Sequence, residues 1–315
     1  MNLFRRVIRF FLALLVFTAG LIVALTAFFL RQMIRPPRQP LWAVPSDAGL
    51  DYEEVEFPAR DGLRLSGWFL PAAAGAPQPA VVLVHGWPWN RLGEAANTLM
   101  ANVSGALPVD LLRLAHTLHG EGYHVLMFDL RNHGQSADGG PVTFGLQEAN
   151  DLLGALDYLT GRDDVAQQKI GVVGFSMGAN TILFALPHTD HVAAAVAVQP
   201  TSPTIFAKRY ATDLLGPLGA LIMAGVQWLY PQLSHLPLAA IEPVMAAAGA
   251  GDTPILYVQG KGDRWGSVSN VAHMAAQTPR TADPLFVDSD HRYGGYRYVI
   301  QNLHVVTDFL REHLA

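Results

Sequence analysis

Ser176 stands in Gly174-Phe175-Ser176-Met177-Gly178, after a β-branched run and before a helix of small residues. A serine in a sharp strand-to-helix turn needs glycines two before and two after it, because side chains there would collide with the turn. Such a turn lifts the hydroxyl off a sheet, and the helix N-terminus behind it favours a developing negative charge. The chemistry implied is attack on a carbonyl, which needs a base and an acid to orient that base. His291, in Val287-Asp288-Ser289-Asp290-His291, is the base candidate, placed after the last expected strand and before the last helix. A loop there lays an imidazole over the sheet edge, to take the serine proton and pass it on. His304, inside the last helix, is its rival. Asp263, in Gly260-Lys261-Gly262-Asp263 directly after a buried strand, is the acid candidate, with Asp288 left open as an alternative. The backbone N–H groups of Trp87, in His85-Gly86-Trp87, and of Met177 are the candidate oxyanion donors. Trp87 and Trp89 also read as packing aromatics.

The elements that must position these residues alternate along the chain. Val55–Phe57 and Leu63–Leu70 predict strands around an Asp61-Gly62 turn. Strands are then predicted at Ala80–Val84, Tyr123–Phe128, Ile170–Val173, Val192–Val198, Ile255–Gln259 and Leu285–Val287. Helices are predicted near 109–119, 146–159, 268–276 and 296–313, with another opening at Ser176. Strands alternating with helices imply a mostly parallel sheet covered on both faces. Residues 201–251 break this rhythm and read as a helical cap insertion. Within them, Leu214–Ser234 is a 21-residue stretch without charge. A second membrane span there is rejected, because Pro217, Pro231 and several glycines interrupt it. It would also part Ser176 from Asp263 and His291.

The N-terminus differs in kind. A basic segment, residues 1–9, precedes 21 uncharged and mostly apolar residues, Phe10–Leu30. A helix of that length spans about 31 Å, which matches the hydrocarbon thickness of a bilayer. The run ends Ala27-Phe28-Phe29-Leu30, a poor cleavage site, so residues 10–30 read as a retained single-pass anchor rather than a removed signal. Three arginines flank each end. The free amino terminus tips the orientation towards a cytoplasmic N-terminus and an extracytoplasmic domain. Residues 31–49, with Pro36, Pro37, Pro40 and Pro45, form a stiff linker, and the globular domain covers 50–315.

Composition excludes several classes. Half of the residues are hydrophobic and 15% are charged, which is unlike a disordered chain. The net charge of −5 comes with no basic stripe, so nucleic acid is not an expected partner. Cysteine is absent, which removes disulfides and thiolate chemistry. The pairs His116/His119 and His188/His191 lack a convincing third ligand, and no phosphate-binding loop is present. No metal or cofactor is expected.

Taken together, Asp61–Trp68, His85-Gly86, Phe128–Ser136, the serine turn, Gly260–Asp263 and His291 resemble the α/β-hydrolase superfamily over roughly residues 50–315. Within it the chain is most similar to a bacterial membrane-anchored branch related to the Bem46-like and serine aminopeptidase-like hydrolases. Where that superfamily commonly has Arg-Gly-His-Gly, this chain has Arg131-Asn132-His133-Gly134; Asn is the non-glycine residue that best tolerates positive φ. Residues 92–108 read as an insertion at the entrance. The resemblance implies an acyl-enzyme hydrolase for a small-molecule or lipid-like acyl ester or thioester. Its alternatives are a peptidase or amidase, and a non-catalytic binding protein.

Overall fold

The computed structural model describes residues 2–72 and 77–315; Met1 of the basic segment lies outside them. Eight strands form one sheet: β1 (Glu53–Pro58), β2 (Arg64–Leu70), β3 (Gln78–Val84), β4 (His124–Phe128), β5 (Val165–Phe175), β6 (Ala194–Val198), β7 (Ile255–Gly260) and β8 (Leu285–Val287). Their spatial order is β1-β2-β4-β3-β5-β6-β7-β8. β1 and β2 pair antiparallel across the Asp61-Gly62 turn, and β2 pairs antiparallel with β4. All the other pairings are parallel. Central strands buried on both faces should be continuously apolar. β3 (Ala80-Val81-Val82-Leu83-Val84) and β6 (Ala194-Ala195-Val196-Ala197-Val198) are such runs, fully buried.

The helices are α1 (Asn2–Ile34), α2 (Leu99–Val103), α3 (Leu111–Gly120), α4 (Ala149–Thr160), α5 (Met177–Ala185), α6 (Pro203–Leu215), α7 (Leu218–Ser234), α8 (Pro243–Ala247), α9 (Val268–Gln277), α10 (Gly294–Gln301) and α11 (His304–Leu314). One core, on the face of α4, α5 and α9, contains Phe57, Val82, Leu156, Ile182 and Met274. The other contains Val81, Leu114, Val196, Val299 and Leu310. The single final helix expected over 296–313 is two. Asn302 leaves the helical region at φ −124° and ψ 60°, and its side-chain amide donates to Tyr298 O at 2.9 Å. An Asn that bonds its own backbone in this way competes with the helix and ends it. His304 therefore opens α11 instead of lying mid-helix.

α1 is the one described helix long and apolar enough to cross a membrane. It continues past Leu30 to Ile34, and its two ends have different surroundings. Residues Leu3 to Leu21 are exposed, whereas Thr26, Phe29, Leu30, Met33 and Ile34 are buried. These buried residues recur at i, i+3, i+4, i+7 and i+8, the stripe of a helix packed on a partner. The partner is the cap: Phe29 meets Tyr210 of α6 edge-on at 5.8 Å, and Thr26 lies against Gly225 of α7.

Candidate active site

The serine turn is built from backbone. Ser176 holds φ 54° and ψ −115° at the head of α5, a region costly for a residue with a Cβ and found where a fold enforces it. The enforcement is close packing. A Cβ on Gly174 would stand 2.5 Å from Gly178 O, and one on Gly178 would stand 2.2 Å from Val84 O. Both glycines are thus required by approach of β5, α5 and β3, which meets the sequence expectation. Ser176 N–H donates to Val198 O at 2.9 Å, tying the turn to β6.

The loop after β3 abuts this turn, where a Cβ on Gly86 would lie 3.1 Å from Ser176 Cβ. His85 orients that loop. Its Nε2 accepts from Leu130 N–H at 3.0 Å, so Nδ1 carries the proton and donates to Gly86 O at 2.8 Å. Burial lowers its pKa and keeps the ring neutral. His133 packs edge-on against it at 5.1 Å and is pushed down to about 3 by burial and by His85. Among the described residues, no acceptor takes the backbone N–H of Trp87 or of Met177. These are the two groups expected to point at an oxyanion.

Behind the loop lies a buried ion pair that the sequence did not reveal. Asp129 accepts from Arg91 N, Nε and Nη2 at 2.7, 3.0 and 2.7 Å and from Gln135 N at 2.8 Å. The Arg91 guanidinium sits over the Trp68 ring at 4.6 Å. This contact set holds the Asp129 carboxyl below the usual range against the upward push of burial. Gly134, at φ 43°, leaves the room the carboxylate occupies: a Cβ there would stand 2.1 Å from it. Asn132 sits at φ 67°, the left-handed position that an Asn in place of Gly tolerates.

Ser176 opens into a cavity of about 350 Å³ whose wall includes Trp87, Tyr296, Gln199, Asp263 and Arg292. The Ser176 hydroxyl faces the Tyr296 phenol closely enough to favour its ionised form, although burial raises the Tyr296 pKa strongly. Asp263 follows β7 in an Asx-type turn. Its Oδ1 accepts from Trp265 N and Gly266 N at 3.0 and 2.9 Å, and its Oδ2 from Gln199 Nε2 and Gln259 Nε2 at 3.1 and 3.2 Å. Burial pushes this carboxyl up, opposed by those N–H donors. Neither glutamine was singled out from sequence, since glutamine after a strand has no distinctive spacing. Gln199, at φ 50° and almost fully buried, also accepts from Gly295 N and donates to Arg292 O. It joins β6 to the loop after β8.

The structure brings Ser176 and Asp263 to one cavity and leaves His291 outside its wall. His291 Nδ1 accepts from Tyr293 N–H at 3.1 Å, and the ring lies 5.9 Å from that of Tyr293. Asp263 accepts no bond from it. The residue turned inward is Arg292, whose guanidinium is held over the rings of Trp265 at 3.6 Å and Tyr293 at 4.1 Å and donates to Ser104 O. Arg292, not the adjacent His291, is the residue of this turn in the cavity wall. Burial, then the charges of Arg292 and Arg264, lower the His291 pKa. Asp288 pairs with Lys261 at the exposed surface. The 92–108 segment does reach the cavity, through Thr98, Leu99 and Ser104.

Three comparisons bear on this arrangement. A family model described as alpha/beta hydrolase fold matches residues 79–215. The chain is 32% identical over 169 residues to the uncharacterized protein YfhR of Salmonella typhi, covering 53% of this chain and 48% of the relative. It thus spans about half the length of that relative. The fold is similar to that of the Pyrococcus furiosus esterase Pf2001, with a TM-score of 0.67 at 22% identity over 90% of this chain and all of the esterase. It is also similar to a puromycin hydrolase, with a TM-score of 0.60 at 15% identity over 84% of this chain and 39% of that one.

Proposed function

We propose that this chain, which belongs to the α/β-hydrolase superfamily, is a membrane-anchored serine hydrolase that cleaves a carboxylic ester or thioester through an acyl-enzyme on Ser176. The observation that carries this reading is the strained Ser176 backbone at the head of α5, with two unengaged N–H groups beside it. The Ser176 oxygen attacks the substrate carbonyl while His291 takes its proton. The negative oxygen of the tetrahedral intermediate is held by the N–H groups of Trp87 and Met177. As the carbon–oxygen or carbon–sulfur bond breaks, the protonated imidazole gives its proton to the leaving group. Water, deprotonated by His291, then releases the acid and regenerates Ser176. Asp263 orients the imidazole and stabilises its charged form. This requires the 290–293 turn to exchange Arg292 for His291 at the cavity wall.

Retention of α1 as the anchor is supported by its buried C-terminal turns. Cleavage after Leu30 would strip Thr26, Phe29 and Leu30 from the core they share with the cap. Kinship with the Bem46-like branch rests on the motifs between Asp61 and His291. In this reading the catalytic domain lies outside the cytoplasm. An amide or peptide substrate is the variant reading within the same chemistry.

One observation favours a second reading, a binding protein on the same scaffold. Asp263 already accepts four N–H bonds, none of them from His291, which accepts from Tyr293 N–H instead. A fluorophosphonate probe separates the two. Stoichiometric labelling of the full chain, lost in Ser176→Ala, supports the hydrolase; a folded protein that never labels supports the binding protein. Hydrolysis of p-nitrophenyl esters of increasing chain length beside peptide amides then decides the substrate class.

A further inference from the structure

The cap helix α7 carries no charged residue, and the charges of the two cap helices, Lys208, Arg209 and Asp213, all lie on α6. One side of α7 packs on the domain through Ile222, Met223, Val226 and Tyr230, all buried. The other side exposes Leu218, Leu221 and Trp228 at 54%, 50% and 71%. Their spacing places them on one face, and a contiguous exposed apolar patch on a folded domain marks an interaction surface.

The position of α7 along α1 identifies what covers that face. Val142 N–H donates to Ile34 O, and Tyr230 Oη donates to Val142 O at 3.0 Å. The C-terminal end of α7 is therefore level with the end of α1. Gly225 lies against Thr26, four residues inside the uncharged run that ends at Leu30. The helices run parallel, so Leu221 and Leu218 lie beside still deeper parts of the run. A residue beside the hydrocarbon-spanning part of α1 is itself at hydrocarbon depth. We infer that α7 is embedded in the bilayer alongside α1, with Leu218, Leu221 and Trp228 facing acyl chains, and that the substrate is a membrane-resident acyl ester. The second clause rests on the serine-hydrolase reading; the first does not.

The cavity supports the second clause. Its wall includes Gln32, Arg38 and Gln39, just beyond the point where α1 leaves the uncharged run, together with Phe206 and Tyr210 of the cap. Arg38 is fixed to the domain by bonds to the carbonyls of His133, Gly134 and Ser136. The opening is thereby held at the membrane surface. An ester with an acyl chain reaches Ser176 there without its chain crossing water, and every CH₂ kept out of water helps retain it at the membrane.

The chain has no cysteine, so single cysteines report unambiguously. Leu221→Cys, Trp228→Cys and, as a control on the opposite end of the sheet, Gln168→Cys are labelled with the environment-sensitive fluorophore NBD. Each full-length protein is reconstituted in phosphatidylcholine vesicles containing doxyl-labelled phosphatidylcholine. The expected result is blue-shifted emission and at least about twofold quenching by the lipid spin label at 221 and 228, with the 168 label quenched only by aqueous iodide. Iodide quenching at all three sites, or protection at 221 and 228 that tracks self-association instead of lipid, overturns the embedding. For the substrate, Leu221→Glu should lower hydrolysis of a long-chain ester dissolved in vesicles by about tenfold or more, with p-nitrophenyl butyrate hydrolysis unchanged. Equal activity on both substrates overturns that clause. Persistent hydrolysis in Ser176→Ala defeats the serine reading while leaving the lipid-quenching result standing.

Discussion

Ser176 and the Asp263–Arg292 wall face each other across one cavity, yet they are held by different kinds of contact. On the serine side the restraints are backbone atoms. Gly174 and Gly178 leave no room for a Cβ, Gly86 leaves only a tight fit, and the loop behind them is braced by His85 and by the Arg91–Asp129 pair. On the other side exchangeable side chains join two backbone N–H donors: two glutamine amides on Asp263 beside the N–H groups of Trp265 and Gly266, and two aromatic rings on Arg292. Backbone packing permits one arrangement, because moving it displaces whole strands. Side-chain amides and cation–π contacts contribute about 1 to 2 kcal/mol each and can be traded for others. The Ser176 turn is thus preset, while the opposite wall, where Arg292 is turned in, is held partly by contacts that can be traded.

The largest test of this contrast is Ser176→Ala. It should lower ester kcat by about 10⁶, the loss found when such a nucleophile is removed, with an unchanged circular dichroism spectrum; residual activity within tenfold of the parent would put the nucleophile elsewhere. Next is Arg91→Leu, which leaves Asp129 buried without its partner. It should destabilise the fold by about 3 to 5 kcal/mol, read as a lower midpoint in urea unfolding; an unchanged midpoint would mean that the brace behind the loop is dispensable. Gly178→Ala should cost about 1 to 3 kcal/mol, as overpacking does, because its Cβ has no free space against Val84 O. The same melt measures it, and a neutral outcome would show the serine turn to be more pliant than its packing indicates.

Two smaller effects concern the other wall. Arg292→Ala removes the guanidinium held over Trp265 and Tyr293. It should raise kcat/KM on p-nitrophenyl butyrate by up to about tenfold, the worth of one buried cation–π contact; a fall would give Arg292 a positive part in the reaction. The pH profile gives the smallest shift. A base must be neutral to accept a proton, and burial with nearby arginines lowers the His291 pKa below its ordinary 6.5. Activity should therefore hold down to a pH below 6.5 and fall as the imidazole protonates. Arg292→Ala should move that midpoint upward, since it removes a positive charge that opposes protonation.

Much of the frame was legible in the residues. β3, β6 and β7 announce themselves as apolar runs, and the Asp61-Gly62 turn sets β1 against β2. The glycines around Ser176 predicted the collisions found there, and Asn132 occupies the positive φ expected of it. The site was less legible where it depends on partners far apart in sequence. Nothing in the spacing of Arg91 points to Asp129, and nothing around Gln199 points to Asp263. The break at Asn302 was hidden because apolar periodicity continues through it. The 201–251 insertion reads as helical and apolar, but which of its faces meets α1 is not a local property.

By itself, the sequence determined the elements: alternating strands and helices, an uncharged 21-residue run at the N-terminus, and a serine flanked by the glycines a sharp turn demands. These follow from local sterics and from hydrophobic periodicity, which act over a few residues. Only the tertiary structure decided which donors occupy Asp263, which of His291 and Arg292 turns inward, and how deep α7 lies beside α1. Each of these is a competition among groups tens to hundreds of residues apart. Such competitions are resolved only when the packed sheet brings the contenders within hydrogen-bond or ring-stacking distance.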